Sequence, residues 1–327
     1  MLAVALLTLG ACDCLPFSNC EEENNELSVT VLKTETRSPN NYVVSLKVVD
    51  TDGYGLAGLD SDNFELREDG NLASKYEASS SVAGLPGEFA FHTGLVLDMS
   101  GSITQPALDT LKLAAGSFVR ELLTDELRSA DLAVWWFDGN PRINLVSPFS
   151  RDSAAIGRGI RSLNSNLSTD NSTDLNGAII RGLDAVSQRV AEDGSRQVAS
   201  AGALIVFTDG TDRAQRQPES AVRKKVGDVR PAVSTFTIGL GGEVDRNSLK
   251  DIGRAGSFFA ANSSELLAAF RATADQVRRD ANSFYQIRYC TPSRQGSHEL
   301  KITVKSGKKR GTVTVPFTAA DVTTLCK

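Results

Sequence analysis

Between residues 89 and 278, short apolar runs alternate with stretches of helical periodicity, and nothing else in the chain constrains its fold as strongly. The runs 89–98, 132–137, 203–208, 233–238 and 257–260 are bounded by turn signals, as in Asp138-Gly139-Asn140-Pro141 and Asp209-Gly210. Nearly continuous apolarity suits strands covered on both faces. Between them, 105–123, 153–163, 175–190, 219–226, 246–254 and 264–278 read as helices, with an edge strand expected at 145–149. In the first helix Leu108, Leu111, Ala115, Phe118, Val119 and Leu122 share one face, with Thr104 as cap and Pro106 in the first turn. Alternation of this kind predicts an α/β unit: a Rossmann-like, doubly wound, mainly parallel sheet with helices on both faces.

Outside this unit the pattern is β. Residues 27–32 and 42–49 are β-branched and partly alternating, separated by a turn signal at 37–41, and another element with turns spans 58–70. At the other end, 283–290, 299–305 and 311–317 read as three strands. Three short strands alone are marginal, so the segments 27–88 and 283–327 are expected to pack together as a small β-sandwich. The path from the Val-rich strand through Asp52-Gly53 to Glu68-Asp69-Gly70 resembles the small β-sandwich domain that precedes the core domain in many secreted bacterial proteins.

The N-terminus differs from the rest. Leu2 to Ala11 is apolar or small over about ten residues, against the ~20 that a membrane-spanning helix needs. It suits the apolar part of a secretory signal at 1–11. Leu9-Gly10-Ala11-Cys12 resembles the lipobox of bacterial lipoproteins, although no Lys or Arg precedes the apolar run. The resemblance implies cleavage before Cys12 and lipidation of its thiol. Residues 12–26, acidic and Asn-rich toward their end, then read as a lipidated tether. An exported protein follows, anchored by lipid to a membrane facing the periplasm or the cell surface. If Cys12 carries lipid, Cys14, Cys20, Cys290 and Cys326 allow three pairings, of which Cys14–Cys20 and Cys290–Cys326 are the local ones. Cysteines paired in this way belong to an oxidising compartment.

Composition removes several function classes. The chain of 327 residues is 41% hydrophobic and 23% charged, so a packed core is expected. A net charge of −5 from interspersed acids and bases offers no basic field for nucleic acid. With only His92 and His298 present, a histidine-rich metal site or a His-dependent triad is disfavoured, and His92 reads as structural at the strand end opposite the site. No cysteine lies between Cys20 and Cys290, and no Gly-x-Ser-x-Gly elbow or P-loop occurs. Gly239-Leu240-Gly241-Gly242 lacks the spacing of a dinucleotide fingerprint and reads as a loop. Neither a catalytic group nor a small-molecule cofactor is expected.

What remains is a set of oxygens at strand ends. Gly94-Leu95-Val96-Leu97 runs into Asp98-Met99-Ser100-Gly101-Ser102, an apolar strand ending in an acid and two hydroxyls. Such groups lie where open α/β sheets bind ligands, beyond the carboxyl ends of the strands. Residues two apart leaving a strand can present their oxygens to one point, and Gly101 permits the tight backbone. Thr173, in Ser172-Thr173-Asp174-Leu175, and Asp209, at the end of 203–209, offer two more oxygens at the same edge. Hard oxygen donors with few carboxylates suit Mg²⁺ foremost, with Mn²⁺ or Ca²⁺ as alternatives. Asp170, Asp174 and Asp212 read instead as loop surface.

Residues 89–278 resemble a von Willebrand factor type A domain on three motifs in order: Asp98-Met99-Ser100-Gly101-Ser102-Ile103, Thr173, and Thr208-Asp209-Gly210. Asn171-Ser172 stands where a Gly pair often precedes the threonine, which keeps Thr169 beside Thr173 as a candidate. The resemblance implies a metal-ion-dependent adhesion site in which Ser100, Ser102 and Thr173 lie close to the ion and Asp98 and Asp209 act largely through water. It also implies a protein partner that fills the vacant coordination position with an Asp or Glu carboxylate. The expectation is therefore a Mg²⁺-dependent adhesion module, not an enzyme. Its alternatives are an assembly subunit of an envelope complex with a vestigial metal site and, further off, a metal-dependent hydrolase.

Overall fold

Asp98, Thr208 and Leu240 end three neighbouring parallel strands at one edge of a six-stranded sheet, and the fold is best followed from there. The computed structural model describes residues 27–37, 41–73, 89–124, 127, 130–196, 198–291 and 295–319. The signal and tether expected at 1–26, with Cys12, Cys14 and Cys20, lie outside these residues, as does Cys326.

The central sheet contains β5 (Phe89–Asp98), β6 (Ala130–Phe137), β7 (Asn144–Ser150), β8 (Ala199–Thr208), β9 (Val233–Leu240) and β10 (Gly256–Ala260). Their order is β10-β9-β8-β5-β6-β7, with every pair parallel except β6–β7, so β7 is an antiparallel edge. The α/β, mainly parallel architecture expected from the alternation is thus present. Strand periodicity divides β5 between two cores: Leu95 and Leu97 face one layer of helices and Val96 the other. The first layer holds α1 (Gln105–Leu122), α2 (Ser153–Ser162) and α6 (Leu266–Ala281). The second holds α3 (Leu175–Ser195), α4 (Glu219–Val229) and α5 (Arg246–Ile252). α3 lies close on the sheet because Gly94 leaves room for it; a Cβ there would come within 2.7 Å of Val186. Thr104 occupies the cap position of α1, but its hydroxyl makes no capping hydrogen bond, and Pro106 supplies the start signal instead.

The remaining strands form two antiparallel sheets around a separate core. β1 (Ser28–Arg37), β2 (Asn41–Val49) and β11 (Phe284–Cys290) make one, in the order β1-β2-β11. β3 (Phe64–Glu68), β4 (Asn71–Leu72), β12 (Gly296–Ser306) and β13 (Lys309–Ala319) make the other, in the order β13-β12-β3-β4. Leu46, Val48, Phe64, Leu66, Ile287 and Ile302 close the space between them. Each sheet thus combines strands from both ends of the chain. Cys290, at the end of β11, is disulfide-bonded. Among the described residues no helix is long and apolar enough to cross a membrane.

Candidate metal centre

The strand order turns back at β5: the chain goes on to β6 at one side and returns through β8 at the other. Open sheets bind ligands at such a switch point, outside the strand ends. Asp98, the last residue of β5, is fully buried there, and both of its oxygens are held. Oδ1 accepts the amide of Ser100 at 2.9 Å, and Oδ2 accepts the hydroxyl of Thr208 at 2.7 Å. The chain is pinned beyond the strand by the Met99 amide, which donates to the Phe137 carbonyl at 2.8 Å. Ser100 is buried, and its Oγ stands 3.2 Å from Ser102 Oγ; the Ser102 hydroxyl in turn donates to Asp209 Oδ1 at 2.7 Å. Asp98, Ser100, Ser102 and Asp209 therefore form one linked run of oxygens across the ends of β5 and β8.

The second loop reaches the site through Asp138, a buried residue that sequence reasoning read only as part of a turn. Its Oδ2 accepts the amides of Thr169 and Asp170 at 3.0 and 3.3 Å, and its carbonyl accepts the amide of Asp174 at 3.0 Å. Burial opposes its ionisation, but these donors together with Asn140 hold the carboxyl below its ordinary pKa. The loop so anchored meets the first one at Gly101, whose amide donates to the Asn171 carbonyl at 3.4 Å. Gly101 is required by that approach, not by its dihedrals: a Cβ would lie 2.9 Å from the Asn171 side chain. Thr173 is buried on the same loop, and its carbonyl accepts the amides of Arg213 and Ala214, both at 3.0 Å. That pair of bonds ties the second loop to the segment following Asp209. Thr169, by contrast, turns to Asn140, whose side-chain amide donates to its hydroxyl at 3.1 Å.

Two of the acids read as loop surface are otherwise placed. Asp174 is buried, accepts the Gly177 amide at 3.2 Å as the cap of α3, and pairs with Arg181 at 3.0 Å. Asp212 accepts the Asn176 amide at 3.2 Å, and burial raises its pKa. Only Asp170 keeps to the rim, where the Ser172 amide and hydroxyl bond its carboxylate. Thr208, in the motif Thr208-Asp209-Gly210, has a positioning role toward Asp98 that its place in the sequence does not show.

Among the described residues no positive charge offsets the burial of Asp98. Burial, and second the charge of Asp209, push Asp98 up to about 7. Burial also raises Asp209 and Glu243 adds to it, against the Ser102 hydroxyl and the charge of Arg213. Among the described residues no Lys, Arg or His pairs with Asp98 at ion-pair distance. Two carboxylates and two hydroxyls, all hard oxygen donors, fit a small divalent cation far better than a soft one.

The family model for the von Willebrand factor type A domain matches residues 94–273. A search of the curated proteins gives no match. Among solved structures, a von Willebrand factor type A protein from Catenulispora acidiphila is 11% identical, covering 93% of this chain and 75% of its own, with a TM-score of 0.48. Proximal thread matrix protein 1 from the mussel byssus is 17% identical, covering 58% of this chain and 48% of its own, with a TM-score of 0.47. The chain thus spans about half the length of that mussel protein, which has also been solved with a zinc-occupied MIDAS motif. The corresponding domain of the type V pilus tip protein Mfa5 from Porphyromonas gingivalis is 14% identical, covering 58% of this chain and 95% of its own, with a TM-score of 0.42.

Proposed function

The chain belongs to the von Willebrand factor type A family, typically a module of protein–protein interaction or adhesion, and from that premise we propose that it binds a protein partner through a divalent ion. Ser100, Ser102 and Thr173 would contact the ion, and Asp98 and Asp209 would hold it largely through water. When bound, the ion supplies a Lewis-acidic position for a carboxylate of the partner. The protein's part is to keep its own oxygens fixed. Thr208 and the Ser100 amide orient Asp98, Asp209 orients the Ser102 hydroxyl, and Asp138 holds the loop that carries Thr173.

The observation that carries this reading is the linked run Asp98–Ser100–Ser102–Asp209 at the switch point, acidic and, among the described residues, without a base at ion-pair distance. Mg²⁺ is the ion of choice, because few carboxylates and neutral hydroxyls leave room for the waters Mg²⁺ retains. Leu9-Gly10-Ala11-Cys12 supports export and lipid anchoring at Cys12, which would present the site outside the cytoplasm.

Crosslinking on intact cells identifies the partner, and recovery of that partner is then compared in Mg²⁺, in chelator, and with Asp98→Ala. Recovery should fall to background in the last two. Equal recovery in all three would sink the metal-mediated reading. Incorporation of labelled palmitate that Cys12→Ala leaves unchanged would sink the anchor.

A further inference from the structure

Beside the metal loops lies a cavity of about 460 Å³, within the ~300–1,000 Å³ range of small-ligand sites. It begins at Gly210, the residue after Asp209, and runs between the N-terminal ends of α3, α4 and α5. Its apolar lining is Leu175, Pro218 and Leu249, and its charged lining is Asp212, Glu219 and Asp245. Asn176, Thr211, Gln215, Gln217 and Ser248 add neutral polar groups, and among the described residues no basic one lines it.

Asp212 accepts backbone amides of Leu175, Asn176 and Gln215, whereas the other two acids are only partly used by the protein. Asp245 Oδ1 accepts the amides of Asn247 and Ser248 at 3.0 and 3.1 Å, and Glu219 Oε1 accepts Ser248 Oγ at 2.9 Å and Arg223 at 2.8 Å. Among the described residues the second oxygens of Asp245 and Glu219 have no hydrogen-bond donor. The neighbouring cations are committed elsewhere or shared. Arg213 pairs with Glu243, Arg216 donates to the Gly139 carbonyl at 2.8 Å, and Arg223 is divided between Glu219 and Asp251. Each helix start contributes about half a positive charge at most, against a full negative charge on each acid. The cavity therefore keeps a negative excess over an apolar floor, which is the complement of a long basic side chain with an aliphatic stem.

We propose that this cavity takes an arginine or lysine side chain of the same protein partner whose carboxylate meets the metal centre. The identity of that partner rests on the metal-mediated reading; the preference of the cavity for a cation does not. Recognition is then two-pointed: an acid engages the ion, and a base on the same face of the partner seats between α3, α4 and α5. A partner with only the acid makes half of the contact, so the cavity supplies selectivity that a carboxylate alone cannot.

The test is amide NMR of the full chain titrated with Nα-acetylarginine methylamide and, separately, with its neutral citrulline counterpart. The arginine probe should shift the amides of Asn176, Thr211 and Ser248 saturably. Citrulline, or the arginine probe on Asp212→Asn/Glu219→Gln, should bind about tenfold more weakly, because a charge-assisted hydrogen bond is lost. No saturable shift at those amides, or equal shifts from the two probes on the unaltered protein, overturns the proposal. Mg²⁺ added to the same samples is read at the amides of Ser100 and Ser102. Arginine shifts that persist where Mg²⁺ has no effect support the cavity while telling against the metal reading alone.

Discussion

Asp98 has a carboxylate that water does not reach, and the hydrogen bonds from Thr208 and Ser100 do not offset its burial beside Asp209. Its ordinary pKa of 3.8 rises to about 7, so between these values the folded chain holds a proton that the unfolded chain has released. Stability of the metal-free protein must then fall as pH rises through that window. At roughly 1.4 kcal/mol per pH unit the full loss is on the order of 4 kcal/mol above the upper value. Asp209 contributes with the same sign, and so does His298, whose pKa is raised by its hydrogen bond to Asp69. The comparison with Asp98→Asn therefore isolates the effect better than the raw slope does. Thermal melts in chelator should show a higher Tm at pH 5 than at pH 8, a smaller difference for Asp98→Asn, and recovery at pH 8 on adding Mg²⁺. An identical pH slope in the two proteins would contradict the assignment. The threonine question is decided in the same way: Thr173→Ala should abolish the Mg²⁺-dependent rise in Tm, and Thr169→Ala should leave it. That Asp98, Ser100, Ser102 and Asp209 lie together was legible because all four stand at or just beyond the carboxyl ends of β5 and β8. Thr208 and Asp138 were not, because their role is to bond other site residues, and sequence spacing carries no sign of that.

At the scale of elements, the joint between α6 and β2 rests on a buried ion pair. Lys47 on β2 is buried, with Nζ 2.7 Å from Asp280 Oδ1 at the end of α6, 2.7 Å from Ser234 Oγ on β9, and over the Phe284 ring. Asp280 sits where the helix macrodipole disfavours an acid, and among the described residues none donates a hydrogen bond to its carboxylate, so the nearby ammonium is what compensates its charge. Lys47→Met should cost about 3–5 kcal/mol in denaturant unfolding, the usual effect of stranding one member of a buried pair. Lys47→Met/Asp280→Leu should cost clearly less than the single change; a sum of two full losses would show that the pair is not coupled. Element positions were readable where apolar runs are continuous and were cut short where they are not. β8 starts at Ala199, ahead of the expected 203, because Ala199-Ser200-Ala201-Gly202 looks like a loop. Its small residues are there because α3 lies close: a Cβ on Gly202 would meet Val186 at 2.6 Å. α3 likewise continues to Ser195 through a polar turn whose purpose is tertiary. Asp193 there meets His92 Nε2 at 2.8 Å, while His92 Nδ1 meets Asp131 at 2.6 Å. In α6 the expected start at Ser264 becomes a 3-10 turn, Ser263–Glu265, capped by Asn262, and the α-helix proper begins at Leu266.

Taken whole, the chain starts a β-sandwich, leaves it after β4, builds the entire α/β unit, and returns to finish the sandwich with β11–β13. The two ends interleave. β2 pairs with β11 from Lys47–Phe284 to Asn41–Cys290, and β3 pairs with β12 from Phe64–Val304 to Glu68–Leu300. Strands at both ends were evident in the sequence, but which strand pairs with which was not, because alternation specifies a face and never a partner. The interleaving has a thermodynamic consequence. Ending the chain after Asn282 removes one strand of the first sheet and two of the second, leaving β1–β2 and β3–β4 as isolated hairpins. Isolated hairpins are marginal in water, and Leu46, Val48, Phe64 and Leu66 would lose the strands that cover them. In hydrogen exchange the truncated chain should therefore lose amide protection across 41–49 and 64–68 while β5, β8 and β9 retain theirs. The α/β unit should also melt earlier than in the full chain, since an unfolded β2 withdraws Lys47 from Asp280. Protection that persists over 41–49 after truncation would mean that the N-terminal strands fold on their own, and that the sandwich is not a shared product of the two ends.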